Sequence, residues 1–414
     1  MSYNYDETFK YPINACLNLT DNCNLQCRYC FVHQKPHYMD VEMAKNAIDF
    51  LAKNLVKYKE LTGRENQKNE VTFFGGEPTL LWEQIIVPIV KYTKEKYPDT
   101  FHFDMTTNGT LLNEERVKFC YDNNIKLLLS IDGIKEVQDY NRPCRDTNLS
   151  SFDLVEKNIP IILKYFPNTT FRSTLYQPTI DKMFESFLFA EKCGFRQIFM
   201  CPNAREEWSE ENIKILREEI GKIITYTTMN YIEGKIPILY SNLDSAFDDI
   251  IDIDLQTYTK NFSDLSPSRG VRRCGLGTGS ISIAYDGKIY GCQEQDSRDE
   301  NDYFYIGDIF NGINIEKHKK MLTDYNEAIT IISSKKELCS NCKLRQACIH
   351  KVCPSVSRDM FNDFFIRPSI DCIYNQILLE GGILMMKILV EQEKNQFFKE
   401  YLDYKLEGGE SIGL

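Results

Sequence analysis

The stretch that decides the fold is Ile13-Asn-Ala-Cys-Leu-Asn-Leu19, followed after three residues by Cys23-Asn-Leu-Gln-Cys27-Arg-Tyr-Cys30-Phe31. The first part reads as a short apolar strand. The second is a loop with three thiols within eight residues and no fourth nearby. Zinc sites usually draw on two separated cysteine pairs, whereas soft thiolates suit iron–sulfur clusters. Three ligands on a four-iron cube leave one iron open to a small molecule. A loop after a parallel strand also opens on the face where α/β proteins place their chemistry. A structural zinc knuckle is the competing reading.

Outward from this loop, strands alternate with helices. Asp40 caps a segment whose Met43, Ala44, Ala47, Ile48, Leu51 and Leu55 recur at helical spacing. Strands are predicted at 71–74, 101–107, 126–131, 170–175 and 197–200. Helices are predicted at 80–97, 114–120, 152–165, 183–193 and 210–231. Six strand–helix units imply a parallel sheet with right-handed crossovers. They are too few for a closed eight-fold barrel, so an open, partial (β/α)6 barrel of α/β class is expected. Residues 1–235 form this barrel and 236–268 a linker, whose main part, 241–268, is polar and acidic. Residues 269–375 are Cys-rich, with short strands such as 280–285 and little apolar core of their own, so they need metal to hold together. Residues 376–414 form a C-terminal helical segment, with helical pattern over 373–406 broken at Gly381–Gly382.

The chain has 414 residues, 43% hydrophobic and 26% charged, ordinary for a soluble globular protein. Its net charge of −11 supplies no basic field for nucleic acid or an anionic membrane. The N-terminus lacks the basic start and apolar run of a signal peptide. The apolar run 377–390 carries Glu380 and two glycines and is too short and polar to span a bilayer. The expectation is a cytoplasmic protein, with neither nucleic acid nor membrane as partner. Fifteen cysteines in such a chain do not read as a disulfide framework. Seven of them cluster: Cys274, Cys292, Cys339, Cys342, Cys348, Cys353 and Cys372.

The C-x3-C-x2-C spacing of Cys23, Cys27 and Cys30, with aromatics around the last cysteine, resembles the radical S-adenosylmethionine (SAM) enzymes. The resemblance implies that these cysteines hold a [4Fe-4S] cluster, catalytic because its open iron binds SAM and its reductive cleavage gives a 5′-deoxyadenosyl radical. Gly75-Gly76-Glu77 at the end of the second strand then holds the methionine amino group. Asn108 ends the third strand, Ser130 contacts the ribose or carboxylate region, Arg172 pairs with the carboxylate, and Phe31 packs by the adenine. A turn or core-packing role remains open for each.

The second cysteine set resembles the SPASM domain, the C-terminal extension of radical SAM enzymes that mature peptides and proteins. Four residues separate Cys348 from Cys353, where three are usual. By resemblance, Cys339, Cys342, Cys348 and Cys372 ligate a distal auxiliary four-iron cluster. Cys274, Cys292 and Cys353 ligate a proximal one, making three clusters in all. A zinc ribbon on Cys339 and Cys342 is the competing reading. Residues 266–273, where a fourth proximal cysteine is expected, contain none. An open iron there could hold a substrate thiolate; water, a side chain or remote Cys201 could instead close it. His33 and His37 flank the first loop, and loop polarity explains them equally well.

The leading expectation is a maturase of a ribosomally made, Cys-containing peptide, resembling sactipeptide and ranthipeptide synthases, that forms thioether crosslinks. An external one-electron donor such as flavodoxin or ferredoxin is implied. Anaerobic sulfatase maturases, which make formylglycine, place an aspartate base directly after the second SPASM cysteine, whereas here Gln293-Glu294 follows Cys292. Peptide epimerisation, carbon–carbon crosslinking and a non-enzymatic role as an electron carrier or scaffold stay open beside these two. About ten residues precede the first strand, so leader recognition is expected elsewhere, on 374–404 or a separate protein.

Overall fold

The computed structural model describes residues 5–235, 238–251, 274–295, 302–335 and 353–391, except 365 and 367. The chain forms two compact units that interleave in sequence. The first comprises Met1–Ile131, Gln138–Thr169 and Gly275–Glu327, and the second Asp132–Val137, Thr170–Cys274 and Ala328–Leu414.

In the first unit β1 (Asn14–Thr20), β2 (Asn69–Gly75), β3 (Phe101–Thr107) and β4 (Ile125–Ser130) are parallel and adjacent in that order. The crossover helix α1 (Val41–Thr62) starts where Asp40 accepts the Met43 N–H and stops at Gly63, φ +69°. It buries Ala44, Ala47, Ile48, Leu51 and Leu55 of the periodic set, while Met43 at its first turn is half-buried. The helix expected over 80–97 is instead a 3₁₀ turn, a π turn at Trp82–Ile86, and α2 (Val87–Lys96). Pro88 has no N–H to close an α turn onto Gln84, and the helix widens before it. Next come α3 (Glu114–Asp122) and, after β4, α4 (Lys135–Asn141). The helix expected over 152–165 is two short ones, α5 (Ser151–Glu156) and α6 (Ile159–Tyr165), the second opened by Pro160.

The second unit holds β5 (Thr170–Leu175), α7 (Met183–Cys193), β6 (Gln197–Pro202), α8 (Glu210–Ile232), β7 (Leu239–Tyr240) and α9 (Ser241–Ile251). Its three strands are parallel. Helix α9 occupies the start of the expected linker. The polar residues that suggested a linker dock the helix instead: Gln197 donates to Ser241 Oγ at 2.9 Å, and the Met200 N–H donates to Asn242 Oδ1 at 2.9 Å. Leu243 and Ala246 are buried beneath.

The segment Gly275–Glu327 corrects a second expectation. Strand β8 (Ile281–Ile283) is the parallel neighbour of β1, opposite β2, and β9 (Lys288–Tyr290), β10 (Tyr305–Asp308) and β11 (Gly312–Ile313) continue it as an antiparallel meander. Ile281, Ile283, Ile289, Tyr290, Phe304 and Ile306 are all buried. This stretch therefore has apolar core of its own, shared with β1, and does not depend on metal alone.

Helix α10 (Ile315–Lys335) carries the fully buried His318, whose Nδ1 lies 2.9 Å from the Tyr5 hydroxyl. Burial lowers its pKa from 6.5 to about 4. The unfolded chain therefore binds a proton that the folded chain refuses between these values, so stability is lost as pH falls from 6.5 towards 4. The loss over this window is on the order of 3 kcal/mol. Denaturant midpoints measured across it should converge with those of His318→Gln at low pH; an unchanged pH slope in the variant would contradict this.

Helices α11 (Pro354–Phe361) and α12 (Ser369–Glu391) complete the second unit. Helix α12 runs unbroken through Gly381–Gly382, against the expected break, and packs on α8 and α9. A Cβ at Gly381 would come within 2.0 Å of Ile224 Cδ1, so the glycine permits close helix packing. Gly381→Ala should change stability by no more than about 1 kcal/mol in thermal melts, because the gain of alanine inside a helix offsets the shift of the Ile224 side-chain tip. By length and composition, 369–389 could cross a membrane; half of it is buried, as in a core helix. Tyr374, expected on a leader-binding surface, is interior: its hydroxyl donates to the Met200 carbonyl at 2.5 Å and lies 2.6 Å from the Tyr240 hydroxyl. Residues 392–404 of that expected surface lie outside the described residues.

Candidate cofactor site at the end of the first strand

The chain leaves β1 at Thr20 and is met there by the end of β2. Gly76 N–H donates to the Thr20 carbonyl at 2.7 Å and Glu77 N–H to the Asn22 carbonyl at 3.0 Å. Both glycines are sterically required. A Cβ at Gly75, where φ is +134°, would lie 2.3 Å from the Thr20 oxygen, and one at Gly76 would lie 2.2 Å from the Asn22 oxygen. The Gly-Gly pair thus fixes where the cysteine loop begins.

The loop is then strapped along its length. Gln26 N–H donates to Pro143, Arg28 N–H to Asn141, and Arg145 N–H to Asn24, at 2.8, 2.9 and 3.0 Å. The Arg28 Nε donates to the Tyr140 carbonyl at 2.8 Å, and its guanidinium sits 4.4 Å from that ring's centre. Leu25 and Cys144 pair as an antiparallel bridge, and Cys23, Cys27, Leu25 and Cys144 pack together. No sequence signal marked 141–145 for this role; it is a stretch about 120 residues downstream with ordinary composition.

Within this frame Cys23 is buried, Cys27 half-buried and Cys30 exposed. Burial, and then the nearby Glu77 carboxylate, push the Cys23 thiol well above its usual range. Glu77 is itself 1% exposed. Its carboxylate accepts from Thr79 N–H (3.1 Å), Thr79 Oγ1 (2.5 Å), Thr107 Oγ1 (2.8 Å) and Asn108 N–H (2.8 Å). Burial raises its pKa against these donors. The side chain therefore ties the end of β2 to the end of β3. Asn108, also buried, faces the cysteine loop: its Nδ2 is 3.0 Å from Asn24 Oδ1 and 3.8 Å from Cys23 Sγ.

Phe31 stacks on Phe74, with ring centres 6.4 Å apart. Ser130 is half-buried at the end of β4. His37 Nδ1 lies 2.9 Å from buried Asp21 Oδ2, and its ring stacks on Tyr285 at 4.4 Å, so its place is fixed by more than loop polarity. Arg172 belongs to the second unit, its guanidinium 4.7 Å from the Phe199 ring centre. Cys292 follows β9 and is half-buried; Cys274 and Cys372 are exposed, and half-buried Cys353 precedes α11. Cys339, Cys342 and Cys348 lie outside the described residues.

Among the described residues no three His, Cys, Asp or Glu side chains gather as they would around one ion. Cys23, Cys27 and Cys30 fit a four-iron cube instead: three soft donors in a loop braced by backbone bonds, with N–H groups directed at sulfur.

Residues 17–190 match the radical SAM superfamily. A protein of Methanocaldococcus jannaschii, itself uncharacterized, is 34% identical over 236 residues, 55% of this chain and 73% of its own length. The chain belongs to the radical SAM superfamily, whose members use SAM and a [4Fe-4S] cluster. It is also similar to a cysteine-type anaerobic sulfatase-maturating enzyme of Clostridium novyi, 25% identical over 66% of this chain and 71% of that one. The radical SAM cyclopropyl synthase TigE of Paramaledivibacter caminithermalis is 21% identical over 92% and 74%. In fold, native anSMEcpe with bound AdoMet and Cp18Cys peptide matches 91% of this chain and 99% of its own, with TM-score 0.64 and 19% identity. Streptococcus suis SuiB bound to precursor peptide SuiA matches 87% and 75%, with TM-score 0.55 and 13% identity. The fold class is that of a radical SAM barrel with a C-terminal extension.

Proposed function

We propose that this radical SAM enzyme matures a ribosomally made peptide by joining a peptide cysteine sulfur to carbon as a thioether. Residues 1–235 act as the barrel and 269–375 as a SPASM domain. When bound, SAM and the reduced cluster would supply hydrogen-atom removal from a peptide carbon, and an auxiliary cluster would take up the electron released as the deprotonated peptide sulfur bonds to that carbon. The chain's own residues hold and shield that chemistry. Cys23, Cys27 and Cys30 are the cluster ligands. Gly75 and Gly76 let the backbone approach the cofactor, and Glu77 keeps the ends of β2 and β3 together around it. Phe31 and Ser130 complete the cofactor pocket on the barrel side. Cys339, Cys342, Cys348 and Cys372 bind one auxiliary cluster; Cys274, Cys292 and Cys353 bind the other and leave a position for a substrate thiolate. An external flavodoxin- or ferredoxin-type donor supplies the electron.

The observation that carries the thioether reading is position 293. Formylglycine-forming maturases have an aspartate base there, whereas this chain has Gln293, whose side-chain carbonyl already accepts the Cys16 thiol at 3.2 Å. A neutral amide tied to β1 accepts a hydrogen bond but is no general base. The sulfatase-maturating relative favours formylglycine formation as the second reading. Anaerobic reconstitution with SAM and small Cys-rich peptides, followed by mass spectrometry, separates the two. A product lacking two hydrogen atoms per crosslink, and blocked by alkylating the peptide cysteine, supports the thioether. Replacement of a cysteine's sulfur by a carbonyl oxygen supports the maturase and removes the first reading.

A further inference from the structure

We infer that Asn108 sets the reduction potential of the cluster held by Cys23, Cys27 and Cys30, by donating its side-chain amide to the Cys23 sulfur. The inference rests on the cluster reading above. Its ground is an arrangement in which every hydrogen of the amide is assigned. The Thr110 backbone N–H, which can only donate, points at one side-chain atom of Asn108 at 3.0 Å, so that atom is Oδ1. Thr110 Oγ1 donates to the same oxygen at 2.6 Å and receives Asn24 Nδ2 at 2.8 Å. The other end of the Asn108 amide is therefore Nδ2. One of its hydrogens is taken by Asn24 Oδ1 at 3.0 Å, and the other is directed at Cys23 Sγ at 3.8 Å. Asn24, Thr110 and Asn108 close a ring that holds the amide plane in place. Glu77 Oε2 holds the Asn108 backbone from below at 2.8 Å.

Cys23 also receives the Leu25 N–H at 3.3 Å, and both Asn108 and Cys23 are more than nine-tenths buried. Hydrogen bonds to cluster sulfurs raise reduction potentials, because electron density added on reduction is stabilised by the donor. The effect is larger where water is excluded. Asn108 is thus a positioning residue for the electron rather than a contact to SAM.

The test is a redox titration of the reconstituted holoenzyme, following the EPR signal that responds to SAM. Asn108→Asp keeps the acceptor for Thr110 and loses the N–H; Asn108→Leu loses it without adding charge. In both, the reduced-to-oxidised ratio at a fixed potential should fall about tenfold or more, about 59 mV for a one-electron couple. An unchanged potential in the leucine variant overturns the inference. Unmutated protein labelled with ¹⁵N in asparagine side chains gives a check that needs no variant: the reduced, SAM-responsive cluster should show a hyperfine coupling to a side-chain amide nitrogen. Absence of that coupling overturns the inference even if a variant loses its cluster. If unmutated protein has no SAM-responsive cluster at all, the underlying cluster reading fails first.

Discussion

Cys27→Ala should abolish formation of 5′-deoxyadenosine while leaving the fold intact. Cys27 is the middle ligand of the loop and packs half-buried against Leu25 and Cys144. The bonds described above that brace the loop run from the Gln26 and Arg28 N–H groups to Pro143 and Asn141 and from the Arg28 side chain to Tyr140, not from the Cys27 side chain. Truncation to alanine should therefore cost about 1 kcal/mol or less in stability, with thermal melts close to wild type. Two thiolates remain, too few to hold a cube with one open corner, so iron bound at this site and SAM cleavage should both be lost. Iron analysis and chromatography of the SAM products check this. Deoxyadenosine at wild-type yield from the variant would contradict the assignment of the loop.

Glu77→Ala should be severe in a different way. The carboxylate is buried and accepts four hydrogen bonds, from Thr79, Thr107 and Asn108. Removing it leaves buried donors without an acceptor and a gap between the ends of β2 and β3. Each unsatisfied donor costs about 1–3 kcal/mol, so the loss should be on the order of 4 kcal/mol. Calorimetry or denaturant titration of the apoprotein measures this without reference to activity. If Glu77 served as a cofactor contact alone, the apoprotein would keep its stability and lose SAM affinity. A stability change below about 1 kcal/mol would therefore contradict its role as the tie between strands.

The cysteine loop was legible in the sequence because its signal is local: three thiols in one short loop after an apolar strand. The alternation of strands and helices up to β6 was legible for the same reason, since periodicity over ten residues is a local property. What brings the site together is not local. Glu77 reads as a cofactor contact or a turn residue, and nothing in the sequence marks its tie to Thr107 and Asn108, thirty residues on. Asn24 and Thr110 carry no motif, yet they fix the Asn108 amide. The strap at Asn141–Arg145 acts through backbone groups, which sequence does not mark. Two punctuation signals misled. Gly381–Gly382 looked like a helix stop, but α12 runs through both glycines, with the Ile224 side chain packed against Gly381. The polar start of the linker docks as α9 because its Ser241 and Asn242 satisfy groups on β6. The strand at 281–283 was legible within 280–285, but its pairing with β1 was not, because partners so far apart in sequence leave no local mark.

The central claim is that the Cys23, Cys27 and Cys30 loop holds an iron–sulfur cluster whose open iron takes SAM. The most direct measurement is EPR of the anaerobically reconstituted, reduced protein, recorded before and after SAM is added. The account predicts a four-iron signal that changes shape on addition of SAM and is missing from Cys27→Ala. A spectrum indifferent to SAM, or a loop loaded with zinc, would contradict it.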